Sequence, residues 1–98
     1  MTLHTLNKHR SDLVHLCISA LGPEDSLLLL EDGVYAALDG THSPLDPATL
    51  PAGIKLYALT EDLAARGISE KISDVFTRIT YRDFVSLSLA CSKVVNWN

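Results

Sequence analysis

The sequence predicts an α/β domain in which a mainly parallel sheet carries helices on both faces. Three observations lead there. The run Leu27-Leu28-Leu29-Leu30 shows no alternation, which suits a strand covered on both sides. Gly22-Pro23 before it and Asp32-Gly33 after it leave too little room for a helix of ordinary length. Strand-like and helix-like stretches then alternate along the chain in units too long for hairpins, which implies right-handed βαβ crossovers.

Taken in order, Thr2-Leu3-His4-Thr5-Leu6 reads as a first strand, followed by the polar loop Asn7-Lys8-His9-Arg10. A helix follows, with Ser11 as its expected cap and Asp12 in its first turn. Leu13, Leu16, Cys17, Ala20 and Leu21 fall at the spacing of one buried face. Gly22 ends that helix and Pro23 prevents its continuation. After the leucine strand, Val34 to Leu38 reads as a short helix closed by Asp39-Gly40. A proline-bearing surface connection from Gly40 to Gly53 comes next, with room for one helical turn.

Ile54-Lys55-Leu56-Tyr57-Ala58-Leu59 reads as the third strand, and Thr60 as the expected cap of a helix about two turns long. Glu61 and Asp62 suit the positive N-terminal end of that helix, and Arg66-Gly67 its finish. Val75-Phe76-Thr77-Arg78-Ile79 has the β-branched and aromatic character of a fourth strand. Thr80 with Asp83 makes a capping-box arrangement for the last helix, whose buried side carries Phe84, Leu87 and Cys91. Val94-Val95-Asn96-Trp97 is a short terminal strand or an apolar tail.

A chain of 98 residues, 47% hydrophobic and 20% charged, fits one domain over 1–98, within the usual size of ~100–150 residues. A net charge of −4 lacks the basic footprint of a protein that holds nucleic acid by its phosphates, so direct nucleic-acid binding is not expected. Cys17 and Cys91 have neither CxxC spacing nor the density of a disulfide scaffold. No apolar run reaches the ~18 residues of a membrane span, so a cytoplasmic protein with reduced thiols and no membrane contact is expected. A small domain with an unfinished apolar face also favours association, including self-association when it stands alone.

In open parallel sheets, ligands sit beyond the carboxyl ends of the strands. Glu31, Asp32, Glu61 and Asp62, on candidate interaction loops at that carboxyl edge, gather with Lys8, His9, Arg10 and Tyr81, either as a polar pocket able to perform acid-base or ligand-binding work or as acids that satisfy helix N-termini. His4, His9, His15 and His42 show no metal-ligand spacing with one another or with the cysteines, so no metal site and no cofactor is expected. Cys17 lies on the apolar stripe of the first helix, which predicts a buried, inert thiol; as a sulfur nucleophile it would need exposure and a lowered pKa. Trp97 is a candidate interface residue, placed to fill a groove in the domain or in a partner.

Three separated blocks carry a family resemblance. They are the leucine strand with Glu31-Asp32-Gly33-Val34-Tyr35-Ala36-Ala37, the segment Tyr57 to Gly67, and Tyr81-Arg82-Asp83-Phe84-Val85; Leu3-His4-Thr5-Leu6 and Trp97 extend the likeness. The chain resembles the TusB/DsrH family of sulfur-relay proteins over essentially its whole length. The resemblance implies a DsrE-like three-layer sandwich with a five-stranded sheet. It further implies a non-catalytic subunit of a heterohexamer built with TusC-like and TusD-like subunits. Such a complex takes persulfide sulfur from a TusA-like protein and passes it to a TusE-like protein, towards 2-thiolation of the tRNA wobble uridine. The sulfur-accepting cysteine of the TusD/DsrE paralogues lies near the start of the helix after the third strand, where this chain has Thr60-Glu61-Asp62. The alternative implied by DsrH-type members is a persulfide carrier in sulfur oxidation that uses Cys17.

Overall fold

The structure is a computed structural model and describes residues 1–40, 45 and 49–98. Its elements run β1 (Thr2–Leu6), α1 (Ser11–Ala20), β2 (Ser26–Leu29), a 3-10 helix η1 (Glu31–Ala37), β3 (Lys55–Leu59), α2 (Thr60–Ala65), β4 (Thr77–Ile79), α3 (Tyr81–Ala90) and β5 (Lys93–Trp97). The five strands form one sheet in the order β4-β3-β2-β1-β5, and every neighbouring pair is parallel. The terminal segment is therefore a true strand, paired with β1 from Thr2↔Lys93 to Leu6↔Trp97. Half of the proline-bearing connection, 41–44 and 46–48, lies outside the described residues, and the anticipated helical turn falls on that stretch.

The strand order explains the layering. Successive steps from β1 to β4 move in one direction across the sheet, so right-handed crossovers put α1, η1 and α2 on one face. The return from β4 to β5 spans the whole sheet, and α3 covers the opposite face on the way. Alternation along the strands divides the core accordingly. Leu6, Leu27, Leu29, Leu56 and Ala58 face α1, η1 and α2, where Val14, Cys17, Val34, Ala37 and Leu63 meet them. Leu3, Leu28, Leu59 and Ile79 face the other way, against Phe84, Leu87 and Cys91. Leu27, Leu28 and Leu29 are all fully buried, as an unalternating strand in the middle of such a sheet requires.

Several local expectations are corrected. Helix α1 is capped from Arg10 without a side-chain bond, and α2 from Leu59 likewise, so Ser11 and Thr60 are first helical residues instead of caps. Both cap residues have extended backbone and side chains that cannot accept a hydrogen bond from the helix N-terminus. The buried stripe of α1 is Val14, Cys17 and Leu21, with Leu13 and Ile18 packed beside it; Leu16 is 56% exposed and Ala20 is exposed. Apolar residues on nearly all sides left the rotation of this helix to tertiary packing. The turn from β2 begins three residues early, because η1 starts at Glu31 and closes with Gly33 N–H donating to the Leu30 carbonyl at 2.9 Å. Strand β4 keeps only Thr77–Ile79, since a turn from Ser73 to Phe76 precedes it. The Thr80–Asp83 capping box forms with both reciprocal bonds.

Candidate functional site

The carboxyl ends of β2, β3 and β4 open onto one rim, and the first turn of α2 stands at its centre. Glu61 turns away from its own helix and accepts the Tyr81 N–H at the start of α3 with both carboxylate oxygens, at 3.0 and 3.1 Å. Asp62 does the same in the other direction and accepts the Glu31 N–H, at the start of η1, at 2.6 Å. Arg66, one helical turn later, bridges back to Asp32 at 2.9 and 3.0 Å and lies 3.8 Å from the Asp62 carboxylate. The hydrogen bond to Asp32 holds the Arg66 guanidinium firmly charged. The carboxylates of Asp32, Glu61 and Asp62, with Arg66 and the Glu31 N–H, thus tie three consecutive strand-to-helix joints together.

Backbone geometry at the rim is tight. Glu31 sits at φ 50°, a left-handed conformation that a non-glycine residue holds at a cost, and the Asp62 bond helps to keep it there. Two residues on, Gly33 lies against the end of β1: a Cβ at this position would be 1.9 Å from the Leu6 carbonyl oxygen, so a side chain has no space. The basic loop after β1 does not join the acids. Arg10 turns to Asp12 at 2.8 Å, and the His9 ring packs against Tyr35 with centroids 6.0 Å apart.

Cys17 faces the sheet from α1 and is 1% exposed. Burial among apolar side chains pushes its thiol up to about 12, so the sulfur stays protonated at neutral pH. Cys91 is half-buried at the end of α3, in the layer with Leu3 and Leu28. Among the described residues, no group of His, Cys, Asp or Glu is arranged to hold a metal ion.

Trp97 is half-buried and lies against the larger core. Its indole N–H donates to His4 Nδ1 at 3.1 Å, and His4 Nε2 lies 3.2 Å from Asp25 Oδ2. Asp25 also accepts the backbone N–H groups of Thr2 at 3.0 Å and Gly22 at 2.9 Å. Burial works to raise the Asp25 carboxyl, but those two amides and His4 together hold it below the usual carboxylate range. This Trp–His–Asp chain was not foreseen from sequence. One signal was available: His4 shares strand parity with Leu6, so it points into a core where an imidazole needs partners.

Comparison with known proteins decides the family. The family described as "DsrH like protein" matches residues 9–94. The chain belongs to the TusB/DsrH family. It is 44% identical to Protein TusB of Erwinia tasmaniensis over 97 residues, covering 97% of this chain and 99% of the relative. It is equally 44% identical to Protein TusB of Escherichia coli O81 over 99 residues, with the same coverage. The solution structure of Protein Tm0979 from Thermotoga maritima matches with a TM-score of 0.62 and 33% identity, over 92% of this chain and 93% of that one. The crystal structure of the E. coli ychN protein matches with a TM-score of 0.71 over 97% and 96%; at 17% identity it bears on the fold alone. These neighbours share the architecture expected for a TusB/DsrH chain, a five-stranded parallel sheet flanked by helices.

Proposed function

We propose that this TusB/DsrH chain is a non-catalytic subunit of a cytoplasmic sulfur-relay assembly of the TusBCD type. It stands beside TusC-like and TusD-like subunits, and the complex passes persulfide sulfur from a TusA-like to a TusE-like protein towards tRNA wobble-uridine thiolation. The observation that carries this reading is the state of the first turn of α2. A sulfur-accepting thiolate at a helix N-terminus is stabilised and reactive. Here Glu61 and Asp62 fill that turn, and both are spent on the backbone amides of neighbouring elements. The rim is built to hold the fold's joints in register, which suits a subunit that positions another chain's chemistry.

The outer side of α3 supports a role in assembly. Tyr81, Val85 and Leu89 follow one another at helical spacing and are 58%, 45% and 82% exposed. Co-expression with TusC-like and TusD-like subunits, followed by native mass measurement, tests the proposal: a mixed complex containing this chain is expected, and its failure to form would count against the reading. The carrier alternative makes a separate demand. Treatment with a persulfide donor, alone and in the complex, should leave Cys17 unmodified on peptide mass mapping, and a sulfur adduct on Cys17 would replace the structural role with the carrier one.

A further inference from the structure

The Trp97–His4–Asp25 chain carries a consequence for the outer strand of the sheet. An indole nitrogen can only donate, so the 3.1 Å contact requires His4 Nδ1 to present a lone pair to Trp97. The remaining proton of the neutral ring then sits on Nε2 and is donated to Asp25 Oδ2. A proton arriving from solvent has one place to go, Nδ1, where the new N–H would face the N–H of Trp97. Two donors cannot share that contact.

We propose that His4 and Trp97 form a proton-sensitive latch on β5, in which protonation of His4 keeps the contact with Asp25 and expels the Trp97 indole, loosening the end of the strand. The groups around His4 set the direction. Asp25, from the loop between α1 and β2, is the charge in contact with the ring and turns the neutral hydrogen bond into an ion pair when the ring gains its proton. On the same side of the sheet, the Cys17 thiol of α1 stays neutral. From the ends of β1 and β5, the Met1 ammonium turns to Ser92 and Lys93 is exposed beside Thr2. Protonation therefore ends the Trp97 contact and strengthens the Asp25 one, so the charge on the buried ring stays paired.

The strand released is an outer one, paired on one side alone. Its partner in the sheet is β1, and beyond the ladder Thr5 Oγ1 donates to Asn96 Oδ1 at 2.6 Å while the Trp97 ring packs against the larger core. Freeing Trp97 would also return a large apolar ring to the surface at the carboxyl end of the sheet. The latch thus couples the protonation state of the core to the shape of one edge of the molecule.

Trp97 is the single tryptophan of the chain, so its emission reports the latch directly. The experiment follows the His4 imidazole by nitrogen-15 NMR and Trp97 emission together from pH 8 to pH 5, the range in which histidines titrate (~5–8). Amide exchange at Val95 and Trp97 is measured at the two extremes. Expected is a red shift of the emission with the same midpoint as His4, together with faster exchange in β5 at the acid end. A His4 that titrates while emission and exchange stay constant would overturn the proposal, as would a His4 that remains neutral down to pH 5. In Trp97→Phe, which keeps an aromatic ring but loses the donor, the His4 midpoint should rise by about 0.5–1 pH unit, the equivalent of one ordinary hydrogen bond. An unchanged midpoint in that variant would also sink the latch. His9→Gln and His15→Gln should leave the emission change in place, and its disappearance in either would assign it to an exposed histidine instead.

Discussion

The two faces of the sheet are finished to different degrees. Strand residues are buried alike on both: Leu6, Leu27 and Leu29 on one side and Leu3 and Leu28 on the other are all 0% exposed. The covering helices differ. On the first face α1, η1 and α2 each bury residues completely or nearly so, whereas α3 on the second face has no fully buried residue. Helix α3 is apolar on two sides, with Phe84 and Leu87 turned to the sheet and Tyr81, Val85 and Leu89 turned outward. The lesson is that a doubly buried strand demands cover on both faces but does not say that one chain must supply all of it. A helix with two apolar stripes is the local mark of a layer left to be completed by another molecule.

That contrast can be broken or sharpened by substitution. The largest effect is expected on the finished face, where Leu63→Ala removes a fully buried side chain and should cost about 2–5 kcal/mol of stability in urea denaturation. A loss below 1 kcal/mol would mean that this core is less closely packed than the structure shows.

Asp25, at the other end of the sheet, comes next. Asp25→Ala strands the N–H groups of Thr2 and Gly22 and should cost about 1–3 kcal/mol at pH 7. The sign with pH follows from its lowered carboxyl. The unfolded carboxyl titrates near ~3.9. Stabilisation by Asp25 is therefore fully present above that value and is lost as pH falls through the lower folded value. Acid unfolding followed by circular dichroism should lose this component in the variant.

On the unfinished face the costs shrink. Thr80→Ala deletes the cap of α3 and should lower stability by about 1 kcal/mol, read as a smaller urea midpoint with unchanged slope. Leu89→Ser, at 82% exposure, should change the stability of the isolated chain by no more than about 0.5 kcal/mol. The same variant should weaken the mixed complex with the paralogous subunits in a pull-down titration. A Leu89→Ser chain that assembles normally would place the docking surface elsewhere.

Legibility in the sequence followed the range of the interaction. The leucine strand was readable because burial on two faces is written in one contiguous run, and the Thr80–Asp83 box because both partners lie within one turn. Helix α1 misled because apolar residues at 13, 14, 16, 17, 18, 20 and 21 permit several rotations, and only the packed sheet chooses Val14 and Cys17. Glu61 and Asp62 were correctly placed at a helix start, yet the helices they serve begin at Tyr81 and Glu31, 20 and 31 positions away. His4 meets Trp97 across 93 positions, beyond any local pattern.

The pairing of β1 with β5 also bears on how the chain reaches its fold. Thr5 and Asn96 are 91 positions apart, so this ladder closes the longest loop in the sheet, and the entropy of doing so is paid before its contacts are gained. Strands β1 to β3 can assemble through shorter crossovers first. Val95→Ala should then leave the folding rate nearly unchanged and speed unfolding, a φ-value near zero by stopped-flow kinetics. With β5 undocked, β1 presents a bare row of amides and carbonyls beside Leu3 and Leu6, an open edge on which a second chain can pair and aggregate.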